Sequence, residues 1–304
     1  LSNSELLTPE PVAPRPVLVI GGPTASGKSG LALAFAKRAG GLVINADSMQ
    51  VYDTLRVVTA RPDEGEMEHI PHRLYGHVPA GASYSTGDWL REMATLLENL
   101  NAEGRMPVVV GGTGLYFKAL TGGLSDMPEV PEELRLALRA RLSREGPEAL
   151  HAVLAARDPE GAAALQPGDG QRILRALEVL MTSGRPIAYF QAMAAPALID
   201  PARARKIVVM PDREVLRARI DRRFASMMDQ GAVEEVEALL AQMPPPEVPA
   251  MKAIGVPQIA AMLRGEMSRA DVVEKASAAT RQYAKRQMTW FRNQMDETWE
   301  RVTP

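Results

Sequence analysis

The chain is 304 residues long, 46% hydrophobic and 24% charged, with a formal net charge of −2. This is the balance of a soluble globular protein with length for a full core and two domains, and it lacks the overall basic excess that announces a nucleic-acid binder. There is no cysteine, which excludes disulfides, zinc–thiolate sites, iron–sulfur clusters and cysteine nucleophiles and fits a reducing compartment.

The first 16 residues are Pro-rich and polar, carry no charged-then-apolar signal pattern, and read as a flexible tail. No apolar run approaches the ~18 residues of a membrane helix, so the expectation is a cytoplasmic protein with no membrane contact. Val17–Ile20 predicts a buried strand. Gly22-Pro23-Thr24-Ala25-Ser26-Gly27-Lys28-Ser29 follows, and then an amphipathic stretch from Lys28 to Arg38. Strand, loop and helix in that order are the context of a phosphate-binding P-loop. Successive backbone N–H groups, the helix N-terminus and Lys28 would hold a polyphosphate, and Ser29 could offer its hydroxyl to Mg2+. The loop says that a polyphosphate binds, without saying which.

Leu42–Ile44 and Pro107–Val110 are further short apolar runs followed by Gly- or Asp-containing turns, with helical patterns between them. The second strand runs into Asn45-Ala46-Asp47-Ser48-Met49-Gln50, expected beside the P-loop at the carboxyl ends of the strands. Asp47 there either accepts a proton from a nucleophile or caps the next helix. The third strand ends Gly111-Gly112-Thr113-Gly114. Its glycines would let another molecule approach the backbone, with Thr113 offering a hydroxyl; the other reading is a tight turn with an N-cap threonine. The aspartate usual at this position in P-loop hydrolases is missing, which argues against ordinary ATP hydrolysis.

The fourth strand, Ile207–Met210, comes about 95 residues later, too far for one crossover. Pro131 opens a helix over Glu132–Glu145, and Asp169 caps another over Gly170–Ser183 that stops at Gly184. Ile173, Leu174, Leu177 and Leu180 give that second helix one apolar stripe. The fold class is therefore α/β, a P-loop NTPase-like parallel sheet core formed by 17–121 and 200–304, with a helical insertion over 122–199.

From Arg203 to Arg223 there are eight basic residues against three acidic. Arg219 and Arg223 lie four apart on the expected helix Glu214–Gln230, so two guanidinium forks share one face, suited to a diphosphate or an RNA backbone, or simply to solvent. Ser268-x-x-Asp271 is a capping box for a last helix reaching about Arg292. That helix interleaves Arg281, Lys285 and Arg286 with Tyr283, Trp290 and Phe291, a pattern for phosphate contact and stacking or for amphipathic packing with snorkelling cations. His69, His72 and His77 lack the other ligands of a metal cluster.

In family order, Gly22–Ser29, Asp47-Ser48-Met49-Gln50-Val51-Tyr52, Thr59-Ala60-Arg61-Pro62, Pro71-His72-Arg73-Leu74, Gly111–Tyr116, Asp169–Val179 and Ala284–Trp290 resemble the tRNA dimethylallyltransferases across nearly the whole chain. The resemblance implies that dimethylallyl diphosphate, rather than ATP, sits in the P-loop with Mg2+. It further implies that the prenyl group goes to the exocyclic amine of the adenosine 3′ of the anticodon in tRNA. Asp47 would be the base, Thr113 would help position the amine and Arg219 would assist the diphosphate beside Arg223. Asp47, Ser48, Met49, Gln50, Arg135, Gln171, Arg172, Ile173, Leu174 and Arg175 would touch the tRNA anticodon stem-loop, together with Arg281, Lys285 and Arg286 on the last helix. A monomer is expected. Two departures are Val58-Thr59-Ala60-Arg61-Pro62, with Val58 for the family's glycine and Arg61 for its lysine, and Val256 where the family has tyrosine. The competing reading is a small-molecule or nucleotide kinase, sharing the P-loop core but not the ordered motifs. A non-catalytic P-loop switch protein would need the missing aspartate.

Overall fold

The computed structural model describes residues 16–193 and 195–303, so the expected tail falls, but for its last residue, outside the described residues. In chain order the elements are β1 (Leu18–Gly21), α1 (Lys28–Ala39), β2 (Leu42–Asn45), α2 (Glu64–Met67), β3 (His72–Arg73), α3 (Thr86–Ala102), β4 (Pro107–Gly111) and α4 (Gly114–Gly122). They continue with α5 (Glu132–Arg157), α6 (Pro159–Ala163), α7 (Gly170–Ser183), α8 (Ile187–Gln191), β5 (Arg205–Val209), α9 (Arg213–Asp229) and α10 (Ala232–Ala241). A 3-10 turn at Pro249–Lys252, α11 (Val256–Leu263), α12 (Arg269–Gln294) and β6 (Trp299–Val302) complete them.

The strands form one parallel six-stranded sheet in the order β3-β2-β4-β1-β5-β6. β1, β2 and β4 are buried along their whole length, which is why they read as continuous apolar runs rather than as alternation. Leu18, Ile20, Val43, Val108 and Val110 meet Ala32 and Ala36 of α1 on one face. Val19, Ile44, Val109 and Val208 meet Trp89 and Met93 of α3, Tyr116 and Phe117 of α4, and Phe291 of α12 on the other. Side chains of this size stabilise by about 1.5–3 kcal/mol each when fully buried. Helices α9 to α12 build a further apolar cluster around Phe224, Met227, Val236, Ile259 and Val272, into which Tyr52, Leu55 and Val58 pack.

The structure adds to the sequence reading at three points. β4 lies between β1 and β2 and pairs with both, a strand order on which the sequence was silent. β5 begins at Arg205, so Lys206, 6% exposed, is buried within it. The edge strands β3 and β6 were not foreseen, since His72–Arg73 and Trp299–Val302 carry the polar, half-exposed residues that sheet edges tolerate.

By contacts, Gly122–Ala197 forms one compact unit and the rest of the chain another. Within Gly122–Ala197, Leu138, Leu150, Leu154, Ile173, Leu174 and Leu177 make a common core between α5 and α7. Gly146 (φ 80°, ψ 168°) interrupts α5 at the expected stop, and Pro147 lets it resume. Asp169 caps α7 through the Arg172 N–H, and left-handed Gly184 ends it.

Candidate active site

The loop after β1 turns through two left-handed residues, Ala25 (φ 60°) and Gly27 (φ 89°). Gly27 is the N-cap of α1 and supplies no side-chain cap, and no acidic residue lies in the first turn. The first amides of α1 are thus left for an anion, aided by the helix dipole. Lys28 bends back, donating from Nζ to the Pro23 carbonyl at 3.2 Å. Burial pulls its pKa from 10.5 to about 8, with Asp47 acting in the opposite sense and Arg223 in the same one. One donor expected to serve the ligand is committed elsewhere: the Thr24 N–H is bonded to Gln287 Oε1 at 2.9 Å.

α9 brings both of its expected arginines to this loop. Arg219 Nη1 donates to the Ser26 carbonyl at 3.4 Å, and Arg223 Nη1 to Thr24 Oγ1 at 3.5 Å. Burial lowers the Arg223 pKa, opposed by Asp47 and Glu66. A cation that is desolvated beside an anion cradle is ready for a ligand's negative charge. Arg217, on another face, pairs with Asp221.

Asp47 is not a helix cap, since no helix follows it; its Oδ1 accepts the Met49 N–H at 2.9 Å in a turn. Asn45, fully buried at the end of β2, locks that turn. Its Oδ1 accepts the Asp47 N–H at 2.8 Å, and its Nδ2 donates to the Asp47 and Leu74 carbonyls at 2.9 and 3.0 Å. Thr113 accepts the Ser48 N–H at 2.9 Å and donates to Ser48 Oγ at 3.2 Å, so its hydroxyl positions the Asp47–Gln50 segment. Gln50 Nε2 is tied to the Thr59 and Ala60 carbonyls.

The glycines after β4 make room for the chain itself rather than for another molecule. A Cβ on Gly112 would lie 2.3 Å from Gln287 Nε2, and one on Gly114 2.3 Å from the Trp290 ring. Both partners belong to α12, which therefore seats on this turn. Phe291 and Trp290 of that helix are packing residues, Phe291 fully buried and Trp290 edge-on to it.

Two openings share Thr24, Ala25, Asp47, Thr59, Arg223 and Met227 in their walls. One is a groove of about 1220 Å³ over the P-loop, reached by Lys28, Ser29, Arg61 and Arg219. The other is a cavity of about 330 Å³ whose walls include Ser48, Met49, Val58, Phe224, Ile254, Tyr283 and Arg286. Burial foremost, with the Asp47 charge, raises the Tyr283 pKa, so this phenol stays neutral. Glu235 of α10 receives the Arg56, Val57 and Val58 N–H groups at 2.5, 2.7 and 2.9 Å, pinning the segment that walls both openings. Asn45 and Glu235 carried no sequence signal of their own, Gln287 entered only as part of the Ala284–Trp290 segment, and Tyr283 only as one aromatic of the last helix.

Of the residues expected at RNA, Ile173 and Leu174 are corrected: 0% and 5% exposed, they fill the α5–α7 core. Gln171 is exposed, as is Arg172, paired with Asp169 at 3.4 Å. Arg175 pairs with Glu178 and Arg135 with Glu132. Arg281 is spent on an ion pair with Asp221, whereas Lys285 and Arg286 are exposed and Arg286 lies over the Tyr283 ring. Of the two departures, Arg61 donates to the Asp53 carbonyl at 2.9 Å, and Val256 is fully buried in the α9–α12 cluster. His77 pairs with Glu92 and His72 Nδ1 bonds the Ile70 carbonyl; among the described residues no group of three or more His, Asp or Glu could hold a metal. No helix among them is long and apolar enough to cross a membrane.

The family model for IPP transferase matches residues 50–294, and that for isopentenyl transferase matches residues 15–77. The chain is 69% identical over 287 residues to the tRNA dimethylallyltransferase of Allorhizobium ampelinum, covering 94% of each chain. It is 66% identical over 285 residues to that of Rhizobium meliloti, again covering 94% of each. The crystal structure of the tRNA isopentenylpyrophosphate transferase of Bacillus halodurans is similar, with a TM-score of 0.67, 32% identity and coverage of 95% of this chain and 90% of that one. A eukaryotic dimethylallyltransferase captured acting on tRNA has a TM-score of 0.76, 28% identity and coverage of 91% and 70%.

Proposed function

The chain belongs to the tRNA dimethylallyltransferase family, an enzyme family that transfers a prenyl group to tRNA, and from that premise we propose how its residues divide the work. The donor is dimethylallyl diphosphate, with its diphosphate in the P-loop. The acceptor is the exocyclic amine of the adenosine 3′ of the anticodon. One observation carries this reading: Asp47 stands in the wall shared by a cationic groove and a largely apolar cavity. A base at such a junction serves attack on a carbon held between a leaving anion and an entering nucleophile.

An adenine amine is weakly nucleophilic because its lone pair is delocalised into the ring. The electrophile must therefore ionise substantially. As the allylic C–O bond breaks, its electron pair goes to the diphosphate, and the α1 amides, Lys28, Arg219 and Arg223 oppose that charge where it develops. Val58, Phe224, Met227 and Ile254 offer the cation-like carbon apolar walls and keep water away. The amine forms the new N–C bond and gives its proton to Asp47, a contribution of about 10²–10⁴-fold. Thr113 acts by holding Ser48 and hence the Asp47 turn.

Mg2+ fits the donor set as a diphosphate-bound ion: Ser29 would supply the protein ligand, diphosphate oxygens the rest, and the ion would neutralise part of the leaving group's charge. The target base leaves the anticodon-loop stack to enter the cavity. Lys285, Arg286, Gln171, Arg172 and Arg135 are proposed as the RNA-facing polar residues. The enzyme is proposed to work in the cytoplasm as a monomer.

The test is incubation of the protein with Mg2+, dimethylallyl diphosphate and an anticodon stem-loop. A prenyl mass gain on the RNA, lost in Asp47→Asn, is expected. Transfer of the terminal phosphate of ATP to a metabolite, with unprenylated RNA, would overturn the reading in favour of a kinase.

A further inference from the structure

Gln287 of α12 has no part in the division of labour above. It is 5% exposed and joins two loops distant in sequence. Its Oε1 accepts the Thr24 N–H at 2.9 Å, and its Nε2 donates to the Gly112 carbonyl at 2.8 Å. Thr24 is the P-loop residue whose hydroxyl meets Arg223. Gly112 backs the base: the direction of its missing Cβ runs into Gln287 Nε2 at 2.3 Å and toward Asp47 Oδ2 at 3.4 Å.

We propose that Gln287 is a positioning residue for prenyl transfer, its side-chain amide coupling the anion cradle to the turn behind Asp47. This rests on the transferase reading above. The argument is one of polarity. A backbone N–H demands an acceptor and a backbone carbonyl demands a donor, and both face the same buried side chain. An amide satisfies them in one orientation; flipped, it sets donor against donor and acceptor against acceptor. Gln287 thereby holds the P-loop at Thr24 and the turn that supports the base in one fixed spacing. The charged and titratable groups around this link are Lys28, Arg223 and Asp47, with Tyr283, one turn earlier on α12, within hydrogen-bonding reach of the same side chain.

Gln287→Glu tests the polarity at constant size. Its carboxylate still accepts from Thr24 but has no donor for Gly112. Burial raises the pKa of such a carboxyl, and once protonated it regains the donor. Relative to wild type at each pH, kcat for stem-loop prenylation is expected to fall roughly 100-fold at pH 8.5 and to recover toward pH 6. The KM for dimethylallyl diphosphate should change by less than about threefold. Gln287→Met, with neither polar end, should lose activity at every pH without recovery. A ratio to wild type that stays near one, or that falls equally in both variants independently of pH, overturns the proposal and leaves Gln287 a packing residue. Should Gln287→Glu not fold, hydrogen exchange in the wild-type enzyme decides: strong protection of the Thr24 amide supports the link, and exchange at the rate of an open loop overturns it. Wild-type protein that prenylates no RNA in the same assay would defeat the transferase reading instead.

Discussion

Lys28 offers the most direct link between stability and function. Burial moves its pKa from 10.5 to about 8 in the folded protein, so the ligand-free fold carries a cost for keeping the ammonium charged. The folded value lies below the unfolded one. Below about pH 8 both states hold the proton and the cost is present in full. Between pH 8 and 10.5 the folded protein releases its proton first, so stability rises with pH across that window. The displacement corresponds to about 3 kcal/mol as an upper bound. Lys28 lines the groove and is only half-buried, so water screens part of its charge and a cost of about 1–2 kcal/mol is the better expectation. Lys28→Met should remove that cost and raise the melting temperature of the ligand-free protein by a few degrees, at roughly 2 °C per kcal/mol for a chain of this size. The same variant should lose measurable diphosphate binding. In the wild type a bound diphosphate restores the lysine to its charged form, so binding at pH 8 takes up about half a proton. Titration calorimetry in buffers of different ionisation enthalpy reads that uptake directly, with Lys28→Met as the control. Diphosphate binding without proton uptake, or a Lys28→Met protein less stable than wild type in the absence of anion, would refute the reasoning.

Asp47→Asn should lower transfer by about 10²–10⁴-fold while leaving donor binding near the wild-type value, as read by labelled transfer and calorimetry. Glu235→Ala releases three consecutive amides from one carboxylate; unfolding by urea should show a loss on the order of 2–4 kcal/mol, with weaker binding of donor because the Val57–Arg61 wall loosens. Gly114→Ala drives a methyl into the Trp290 ring and should cost about 1–3 kcal/mol in the same assay. Binding of the stem-loop should weaken steeply between 50 and 200 mM salt, and a flat response would rule out a phosphate-dominated interface.

The eight residues from Gly22 to Ser29 were legible because a phosphate cradle is local: consecutive amides, one left-handed glycine and one lysine do the work within two turns of chain. The central strands were legible for a related reason. Burial on both faces leaves a continuous apolar run, whereas β3 and β6, wet on one side, leave none. Capping residues such as Asp169 and Ser268 act on amides two or three positions away and announced their helices. At Gly111-Gly112-Thr113-Gly114, Ile173-Leu174 and Arg281 the residue type was plain but its partner was not. Glycine room can admit a ligand or a helix, and an arginine can meet phosphate or Asp221. Which one it meets is fixed by elements far off in sequence. The amino-acid order alone thus determined the anion cradle, the parallel sheet and the family. The spacing of Arg219 and Arg223 put them on one face, but only tertiary packing decided that this face of α9 meets the P-loop rather than solvent and that α12 delivers Gln287 to that loop and to the turn behind Asp47, because such meetings depend on the burial of whole helix faces.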